Sequence, residues 1–304
     1  MQSELVLVTG AAGGKQGQTG RYVSEQLLAK GISVRAFVRK IDDRSERLRA
    51  LGADVIVGDF HDYHSVERAT QGVSAIYFAY PVQEGLLQAT TIMADAARKA
   101  GVTRLVDLVM LVSSPDAPTP RMRENYFSER IFEWAGIGAS HVRAAIFYEN
   151  LRALTAGTIP RDGSIMLPWG DESTVVPLVA AEDVARVAVG VLMDPSVTPN
   201  SSFPVIGEIL HLRDIIDVFE RVLERKVRYQ DITDEAWADH ALSRSANQHA
   251  VEHLSKLWQR LRKGVRIADL PDTILKITGK RPQTFEDFLR RQKHVFAPQP
   301  IATV

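Results

Sequence analysis

The sequence predicts an α/β fold of the Rossmann type, with a doubly wound parallel sheet and a smaller, mostly helical C-terminal lobe. Three observations predict this fold. Short apolar segments alternate with helical segments through about the first 145 residues, which indicates βαβ units. The strand segments are nearly continuous apolar runs, as expected for a parallel sheet covered by helices on both faces. A glycine-rich loop joins the first strand to the first helix.

The alternation can be followed element by element. Residues 5–9 are an apolar run that ends at Gly10, and residues 20–30 carry apolar side chains at helical spacing. Further strands are predicted over 34–38, 54–57, 75–79, 105–112 and 141–145, and the helices between them over 43–51, 65–70, 86–99 and 121–134. Such regular alternation gives parallel strands joined by right-handed crossovers.

The pattern loosens after residue 150, which predicts a second structural part. Strands over 175–178 and 203–206 flank a helix over 181–193, and the chain from 209 onward is mostly helical, most clearly over 246–262. We predict a dinucleotide-binding core in residues 1–150, to which 175–207 return, and a substrate or partner lobe in 208–304. Because open α/β sheets bind ligands at their carboxyl edge, we expect a small-molecule substrate between core and lobe.

Composition excludes several classes of protein. The 37 basic and 37 acidic residues balance, which argues against nucleic acid or an anionic membrane as a partner. The absence of cysteine rules out thiolate chemistry and thiolate metal sites. No apolar run approaches the roughly 20 residues of a membrane span, and no signal peptide is evident, so we expect a cytoplasmic protein. His249-Ala-Val-Glu-His253 matches a zinc-peptidase pattern, but we interpret it as coincidence and predict no metal site.

The loop after the first strand is the strongest functional signal. Glycines allow positive φ and close approach of the backbone to a pyrophosphate, and the helix that follows supplies amide donors. The candidate binding residues are Gly10, Gly13, Gly14, Lys15, Gln16 and Gly17. We favour Gly10, Gly14 and Gly17 as the glycines that face the phosphates, although Gly14, Gly17 and Gly20 form the cleaner triplet. A tight turn without a ligand is the alternative.

The residues after the second strand indicate which dinucleotide is bound. An acidic residue at this strand end binds the ribose of NAD, but here Arg39 and Lys40 stand there, with Asp42 and Asp43 only later. An arginine can hold a 2′-phosphate with two parallel hydrogen bonds. The pattern therefore favours NADP(H) over NAD(H), the alternative being a solvated pair of charges.

Two further strand ends contribute candidate cofactor contacts. Asp59 and Phe60 follow the third strand, where we expect the adenine, and Tyr80 follows the fourth strand, where Rossmann chains approach the nicotinamide. A packed strand end explains Tyr80 equally well.

These residues resemble the NmrA-like proteins, an atypical branch of the short-chain dehydrogenase/reductase superfamily. The similar segments cover roughly residues 4–230 and fade in the last lobe. They are Val8-Thr9-Gly10-Ala11, Gly14-Lys15-Gln16-Gly17, Arg39, Gly58-Asp59, Val142-Arg143, Phe147-Tyr148-Glu149-Asn150 and Ala180-Ala181-Glu182-Asp183-Val184-Ala185. The resemblance implies a Rossmann fold, NADP(H) and a substrate cleft beside the C-terminal lobe. The family includes NADPH-dependent reductases of quinones and aromatic compounds and also redox sensors.

The catalytic motif of the wider superfamily is altered. That motif is Tyr-x-x-x-Lys on the helix after strand five, in which the tyrosine protonates a carbonyl. Here Tyr126 is followed by Glu129 and Arg130, one of which stands at the lysine position depending on the alignment. Tyr126 and Ser113 are thus weak catalytic candidates, and the catalytic residues are unknown.

The resemblance favours an NADPH-dependent oxidoreductase of a small quinone-like, aromatic or conjugated substrate. Hydride transfer to a flat acceptor needs positioning and exclusion of water more than an acid residue, which would tolerate the altered motif. Two alternatives stay open because fold does not determine function. One is a non-catalytic NADP(H)-sensing regulatory protein, and the other is a diverged biosynthetic enzyme.

Overall fold

Strands and helices alternate along the chain in the computed structural model, which describes residues 4–14, 18–243, 247–264 and 270–298. The strands are β1 (Leu5–Thr9), β2 (Ser33–Val38), β3 (Asp54–Val57), β4 (Ala75–Phe78), β5 (Arg104–Met110), β6 (Ala139–Ala144), β7 (Ile146–Phe147), β8 (Ser164–Leu167), β9 (Val175–Val179), β10 (Ser201–Val205), β11 (Glu208–His211) and β12 (Arg228–Asp231). The helices are α1 (Thr19–Ala29), α2 (Asp43–Ala50), α3 (Tyr63–Thr70), α4 (Leu86–Lys99), α5 (Pro120–Ala135), α6 (Tyr148–Thr155), α7 (Ile159–Asp162), α8 (Ala181–Met193), α9 (Leu212–Leu223), α10 (Asp234–Ser243), α11 (Gln248–Arg262), α12 (Thr273–Thr278) and α13 (Phe285–Arg291).

The central sheet has seven strands, all parallel, in the order β10–β6–β5–β4–β1–β2–β3. Helices α1, α8 and α12 pack together on one face, and α3, α4 and α5 pack together on the other. The strand order reverses between β1 and β4, which is the switch point of a doubly wound sheet. The predicted fold class is therefore confirmed.

The chain divides into two compact units. The first contains the seven-stranded sheet and comprises Met1–Ala144, Ala181–Val205 and Asp272–Lys280, whereas the second comprises Ala145–Ala180, Ile206–Pro271 and Arg281–Val304. A buried apolar layer in the first unit includes Leu7, Ile76, Met93 and Phe132. Each unit thus has its own core.

The second unit contains the predicted strand β9 and, beside it, short strands that the sequence did not predict. One sheet has the order β11–β9–β7 and another pairs β12 with β8. Their shared core is rich in aromatic side chains, including Tyr148, Trp169, Phe219, Trp258 and Phe285. The unpredicted strands β7, β8, β11 and β12 are only two to four residues long. Unlike the equally short β3 and β4, they lie outside the regular alternation of strands and helices, so periodicity does not reveal them.

The predicted elements of the first unit agree well with the structure. No strand or helix end there differs from its predicted position by more than two residues. The predicted helix over 246–262 corresponds to α11, although Ala246 lies outside the described residues. Within the described part of the chain, no helix is both long and apolar enough to span a membrane.

Candidate functional site

The glycine loop begins directly at the end of β1. Gly10 and Gly13 have φ of +62° and +66°, and the Gly13 amide donates to the Gly10 carbonyl oxygen at 3.0 Å. A Cβ atom on Gly20 would lie 2.5 Å from both the Thr9 and Gly10 carbonyl oxygens. Only glycine permits the first turn of α1 to lie this close to the loop. By contrast, a Cβ atom on Gly14 would meet nothing within 4 Å.

The first turn of α1 keeps its amide groups uncapped by any described side chain. The N-cap residue is Gln18, whose side chain accepts a hydrogen bond from Arg21 Nη2 at 2.7 Å instead of capping the helix. Uncapped amides beside a glycine loop are the donors that a pyrophosphate needs. Three predicted loop residues, Lys15, Gln16 and Gly17, lie outside the described residues.

Basic residues follow β2 close to this loop. Arg39 and Lys40 are exposed and make no hydrogen bond or ion pair with the residues that the structure describes. Arg44, in the first turn of α2, donates from Nη1 to the Gly13 carbonyl oxygen at 2.6 Å and from Nη2 to Asp42 Oδ2 at 2.7 Å. The predicted cations are thus available for an anion, and Arg44 fastens the chain after β2 to the glycine loop.

Phe60, which follows β3, stands among three aromatic rings near the ends of β2 and β4. Its ring centroid lies 5.3 Å from those of Phe37 and Tyr80 and 5.7 Å from that of Phe78. Phe60 is only half-buried, while Asp59 before it is exposed. The structure therefore brings three predicted residues, Asp59, Phe60 and Tyr80, together at one edge of the sheet.

Thr9 links the glycine loop to the segment after β4. Its hydroxyl accepts from the Ala79 amide at 2.8 Å and donates to the Ala79 carbonyl oxygen at 3.1 Å. The next residue, Tyr80, is buried, and its hydroxyl donates to the Glu84 carbonyl oxygen at 2.7 Å and lies 2.9 Å from His61 Nε2. The Tyr80 ring therefore has a defined position beside the loop.

Arg121, near the start of α5, holds the same segment from the other side. Its Nη2 donates to the Tyr80 carbonyl oxygen at 2.8 Å and its Nη1 to that of Gln83 at 3.4 Å, with the guanidinium 5.5 Å from the Tyr80 ring centroid. Only 3% of Arg121 is exposed, and burial lowers its pKa to about 10. It remains a cation at neutral pH and pins the chain after β4 to α5.

Tyr126 lies on α5 with its ring half-buried. The Arg130 guanidinium lies 5.2 Å from the Tyr126 ring centroid, over the ring. The Tyr126 hydroxyl makes no hydrogen bond to a described residue. Arg130 thus contacts the face of the phenol, whereas the superfamily lysine acts on the hydroxyl.

Glu129, the other residue at the lysine position, is directed away from this role. Its carboxylate is fully buried and accepts two hydrogen bonds from Arg143 of β6, from Nε at 2.8 Å and from Nη2 at 2.6 Å. This bidentate pair ties α5 to the sheet. Neither Glu129 nor Arg130 therefore reproduces the lysine.

Ser113, after β5, is engaged locally. Its hydroxyl is buried and donates to the Met110 carbonyl oxygen at 2.8 Å, while Ser114 donates to Asp116 Oδ1 at 2.9 Å. Among the described residues no hydrogen bond joins Ser113 to Tyr126. The structure thus does not assemble the two weak catalytic candidates into one hydrogen-bonded group.

A buried polar network lies beneath α5. Asp107, in the middle of β5, accepts from Ser128 Oγ at 3.3 Å, and Ser128 Oγ lies 3.0 Å from Thr90 Oγ1 of α4. His141 Nδ1 is 3.8 Å from Asp107 Oδ2, and its Nε2 is 3.2 Å from Glu133 Oε1. Burial raises the pKa of Asp107 above its ordinary value. These side chains hold α4 and α5 to the sheet.

Side chains able to bind a metal ion do not form a cluster among the described residues. These residues contain no group of three or more His, Asp or Glu side chains that could hold an ion, so His249 and His253 are not part of such a cluster.

Comparison with known proteins identifies the family. Residues 2–263 match the model of the NmrA-like family. The chain belongs to this family. A (4-alkanoyl-5-oxo-2,5-dihydrofuran-3-yl)methyl phosphate reductase of Streptomyces griseus is 31% identical over 97% of this chain and 100% of its own. An NAD(P)H azoreductase of Xenophilus azovorans is 25% identical over 96% of this chain and 99% of its own.

Solved structures share the fold of this NmrA-like chain. A Citrobacter triphenylmethane reductase complexed with NADP(H) has a TM-score of 0.79 and 20% identity, covering 95% of this chain and 100% of its own. An NADPH-dependent quinone oxidoreductase of Escherichia coli, complexed with NADPH, has a TM-score of 0.80 and 21% identity, covering 95% and 99%. NmrA itself, a negative transcriptional regulator in complex with NADP, has a TM-score of 0.79 and 18% identity, covering 97% of each chain.

Three residues of this NmrA-like site were missed as candidates. Gly20 is the third glycine of a triplet, a position that serves close packing of helix and strand. Arg121 is a cation near a helix N-terminus, where the macrodipole disfavours it, and this disagreement was a signal that it has another partner. Arg44 gave no signal, because only the folded chain brings it to Gly13.

Proposed function

We propose that this NmrA-like protein binds NADP(H) and uses it to reduce a small quinone-like or otherwise conjugated acceptor. The observation that carries the proposal is the contrast between two parts of the first unit. The glycine loop and α1 are shaped for a pyrophosphate, whereas α5 lacks the Tyr–Lys pair that protonates a simple carbonyl. A dinucleotide-dependent reaction that needs no such acid fits both parts.

The chain's own residues account for each portion of the dinucleotide. Gly10, Gly13 and Gly20 let the backbone approach the pyrophosphate, and the uncapped amides of α1 donate to it. Arg39 and Lys40, exposed at the end of β2, face the 2′-phosphate. Gly14, Lys15, Gln16 and Gly17 complete the loop in this proposal.

The residues that follow β3 and β4 contact the adenine and the nicotinamide in this proposal. Asp59 and Phe60 flank the adenine, where a half-buried ring provides a stacking surface. Tyr80 supports the nicotinamide end, because four hydrogen-bonding partners fix its hydroxyl and backbone. Rigid placement of this kind allows a flat acceptor to be held at reacting distance.

The chemistry supplied by bound NADPH is a hydride. The acceptor gains that hydride at one end of its conjugated system and a proton from water at the other, so that both atoms and charge balance. Tyr126 has no lysine partner to activate it as the proton donor, since Arg130 covers its ring and Glu129 is bound to Arg143. The chain therefore contributes positioning and exclusion of water.

The activities of the relatives support this class of acceptor. They concern a 5-oxo-2,5-dihydrofuran, an azo compound, a quinone and a triphenylmethane compound. Each of these acceptors carries conjugated double bonds to which a hydride can be added. The first two relatives also match this chain along nearly its whole length.

A second candidate is an NADP(H)-sensing regulator. The altered Tyr126 motif favours it, because a sensor requires cofactor binding without an acid. The similarity to the NmrA regulator is of fold alone.

NADPH oxidation with a panel of acceptors tests the proposal. The panel contains a benzoquinone, an azo dye and an unsaturated lactone, with a saturated ketone as the matched control. We expect oxidation with at least one conjugated acceptor and none above background with the ketone. Binding of NADPH without oxidation by any conjugated acceptor would favour the sensor, and reduction of the ketone alone would contradict the assignment.

A further inference from the structure

The segment after β2 contains an acidic residue that cannot serve as a ribose ligand. Asp42 Oδ1 accepts from the Arg44 backbone amide at 3.0 Å and from Arg44 Nε at 3.2 Å. Its Oδ2 accepts from Arg44 Nη2 at 2.7 Å and from Nε at 3.3 Å. A carboxylate offers about four acceptor positions, so the N-cap and the Arg44 side chain occupy Asp42.

Arg44, in turn, is only partly used by these contacts. A guanidinium has five N–H donors. Nε and one N–H of Nη2 bind Asp42, and one N–H of Nη1 binds the Gly13 carbonyl oxygen. One N–H on each terminal nitrogen has no partner among the described residues. The two free donors lie on a side chain that is 42% exposed.

The position of Arg44 is fixed from both ends of the site. Gly13 belongs to the loop that faces the pyrophosphate, and Asp42 follows β2, whose end faces the adenosine ribose. The capping box formed by Asp42 and the buried Ser45 holds the start of α2 in place. The Arg44 side chain, hydrogen-bonded to Asp42, also holds the pKa of that carboxyl down at about 2, so it stays ionised.

We infer that Arg44 determines cofactor preference by two linked actions: its free N–H groups bind the 2′-phosphate of NADP(H), and its bonds to Asp42 withhold a carboxylate that would otherwise bind the ribose of NAD(H). This inference rests on the proposed function and names the residue that selects its cofactor. Arg39 and Lys40 add positive charge at the same edge. Asp42 thereby supports Arg44, which binds the 2′-phosphate, instead of binding the ribose of NAD(H) itself.

Removal of the Arg44 side chain should change the affinities for NADPH and NADH in opposite directions, which simple loss of charge would not do. Removing the Arg44 side chain deletes a phosphate donor and at the same time frees Asp42 Oδ2. Affinity for NADPH should fall, while affinity for NADH should rise. Loss of a merely structural contact to the Gly13 carbonyl would weaken both cofactors together, because both share the pyrophosphate.

The test is calorimetric titration of the full-length protein with NADPH and NADH, with 2′,5′-ADP and 5′-ADP as probes of the 2′-phosphate. The variants are Arg44→Ala, the double variant Arg44→Ala with Asp42→Asn, and Arg49→Ala as matched control. Arg49 is an exposed arginine of the same helix that pairs with Glu46. Denaturation in urea checks that each variant is folded.

We expect Arg44→Ala to weaken binding of NADPH and of 2′,5′-ADP about tenfold or more, as for loss of a charge-assisted hydrogen bond. NADH should bind a few-fold more tightly, and the double variant should lose that gain. Arg49→Ala should change every affinity by less than about twofold. Equal losses for NADPH and NADH in Arg44→Ala, or no change, would overturn the inference while leaving the proposed function intact. Binding of neither dinucleotide by the wild type would overturn both.

Discussion

The glycine loop and α5, both in the first unit, are built in different ways. At the loop, the backbone makes the site: Gly20 fits against the Thr9 and Gly10 carbonyl oxygens, where any Cβ would clash. At α5, side chains determine whether the catalytic motif is present. Glu129 binds Arg143 and holds the helix to the sheet, and Arg130 covers the Tyr126 ring. A backbone site depends on space alone, whereas a side-chain motif can be changed without altering the helix that carries it.

The largest expected effect comes from adding a side chain at Gly20, where the glycine loop meets α1. Gly20→Ala places a methyl group 2.5 Å from two carbonyl oxygens, so that the loop or α1 must shift. Because a lost hydrogen bond to the charged pyrophosphate costs about 1.5–3 kcal/mol, we expect NADPH affinity in calorimetry to fall by about ten- to a hundredfold. Gly31→Ala, just after the end of α1, is the control, because a Cβ atom there would meet nothing within 4 Å. Its φ of +77°, unlike that of Gly20, is positive, so this control strains the backbone without crowding the loop. Unchanged NADPH affinity in Gly20→Ala would contradict the claim that the loop site depends on the space around Gly20.

Removing the buried Glu129 carboxylate tests the claim that side chains hold α5 to the sheet. Glu129→Ala leaves Arg143 without its bidentate partner. Breaking a fully buried pair costs about 3–5 kcal/mol of unfolding free energy. Because Arg143 is a quarter exposed, we expect a smaller loss of about 2–3 kcal/mol. Urea denaturation should show this loss of unfolding free energy, with NADPH affinity in the folded variant nearly unchanged. The exposed Glu46–Arg49 pair is the control, and Glu46→Ala should cost less than about 1 kcal/mol. A loss in Glu129→Ala no larger than this would contradict a structural role.

The network beneath α5 gives a pH dependence with a defined sign. Burial raises the pKa of Asp107 above its ordinary 3.8, so the folded state binds more protons than the unfolded state between these two values. Stability contributed by this group therefore falls as pH rises through the raised pKa. Ser128 and His141 face the carboxyl from α5 and β6, and Arg121 acts on it electrostatically.

Asp107→Asn removes this titration while keeping the shape of the side chain. The unfolding free energy of the variant minus that of the wild type should increase as pH rises from about 4. Urea denaturation of both proteins over a series of pH values measures the difference. A difference that is constant or decreases with pH would show that Asp107 does not titrate in this way.

The smallest expected effect concerns Tyr126. If the tyrosine were a general acid, its removal would cost about 10²–10⁴-fold in rate. Since neither Glu129 nor Arg130 reaches its hydroxyl as the lysine would, Tyr126→Phe should lower the rate of NADPH oxidation with a quinone-like acceptor by less than about threefold. A hundredfold loss at unchanged cofactor affinity would restore Tyr126 as the acid.

The same contrast explains how much could be predicted from the sequence. Apolar runs and helical spacing located the elements of the first unit, because buried parallel strands and amphipathic helices leave strong local patterns. Gly10 and Gly13 were predicted for the same reason, as glycines between a strand and a helix. The strands β7, β8, β11 and β12 were not predicted, because segments of two to four residues outside a regular strand–helix alternation carry too little pattern.

Contacts between distant segments account for the remaining differences. Glu129 was visible only as a substitute for lysine, and its bonds to Arg143 depend on how α5 packs on β6. Arg121 and Arg44 likewise bind carbonyl oxygens 41 and 31 residues away along the chain. No local pattern encodes such partners, so the side chains that support the site required the structure.

The measurement that tests the central claim most directly is titration of the wild-type protein with NADPH and with NADH under identical conditions. A charge-assisted bond to the 2′-phosphate is worth about 1.5–3 kcal/mol, which corresponds to about ten- to a hundredfold in affinity. We therefore expect NADPH to bind at least about tenfold more tightly than NADH. Equal affinities, or tighter binding of NADH, would contradict the assignment of the edge between the glycine loop and α2 as a 2′-phosphate site.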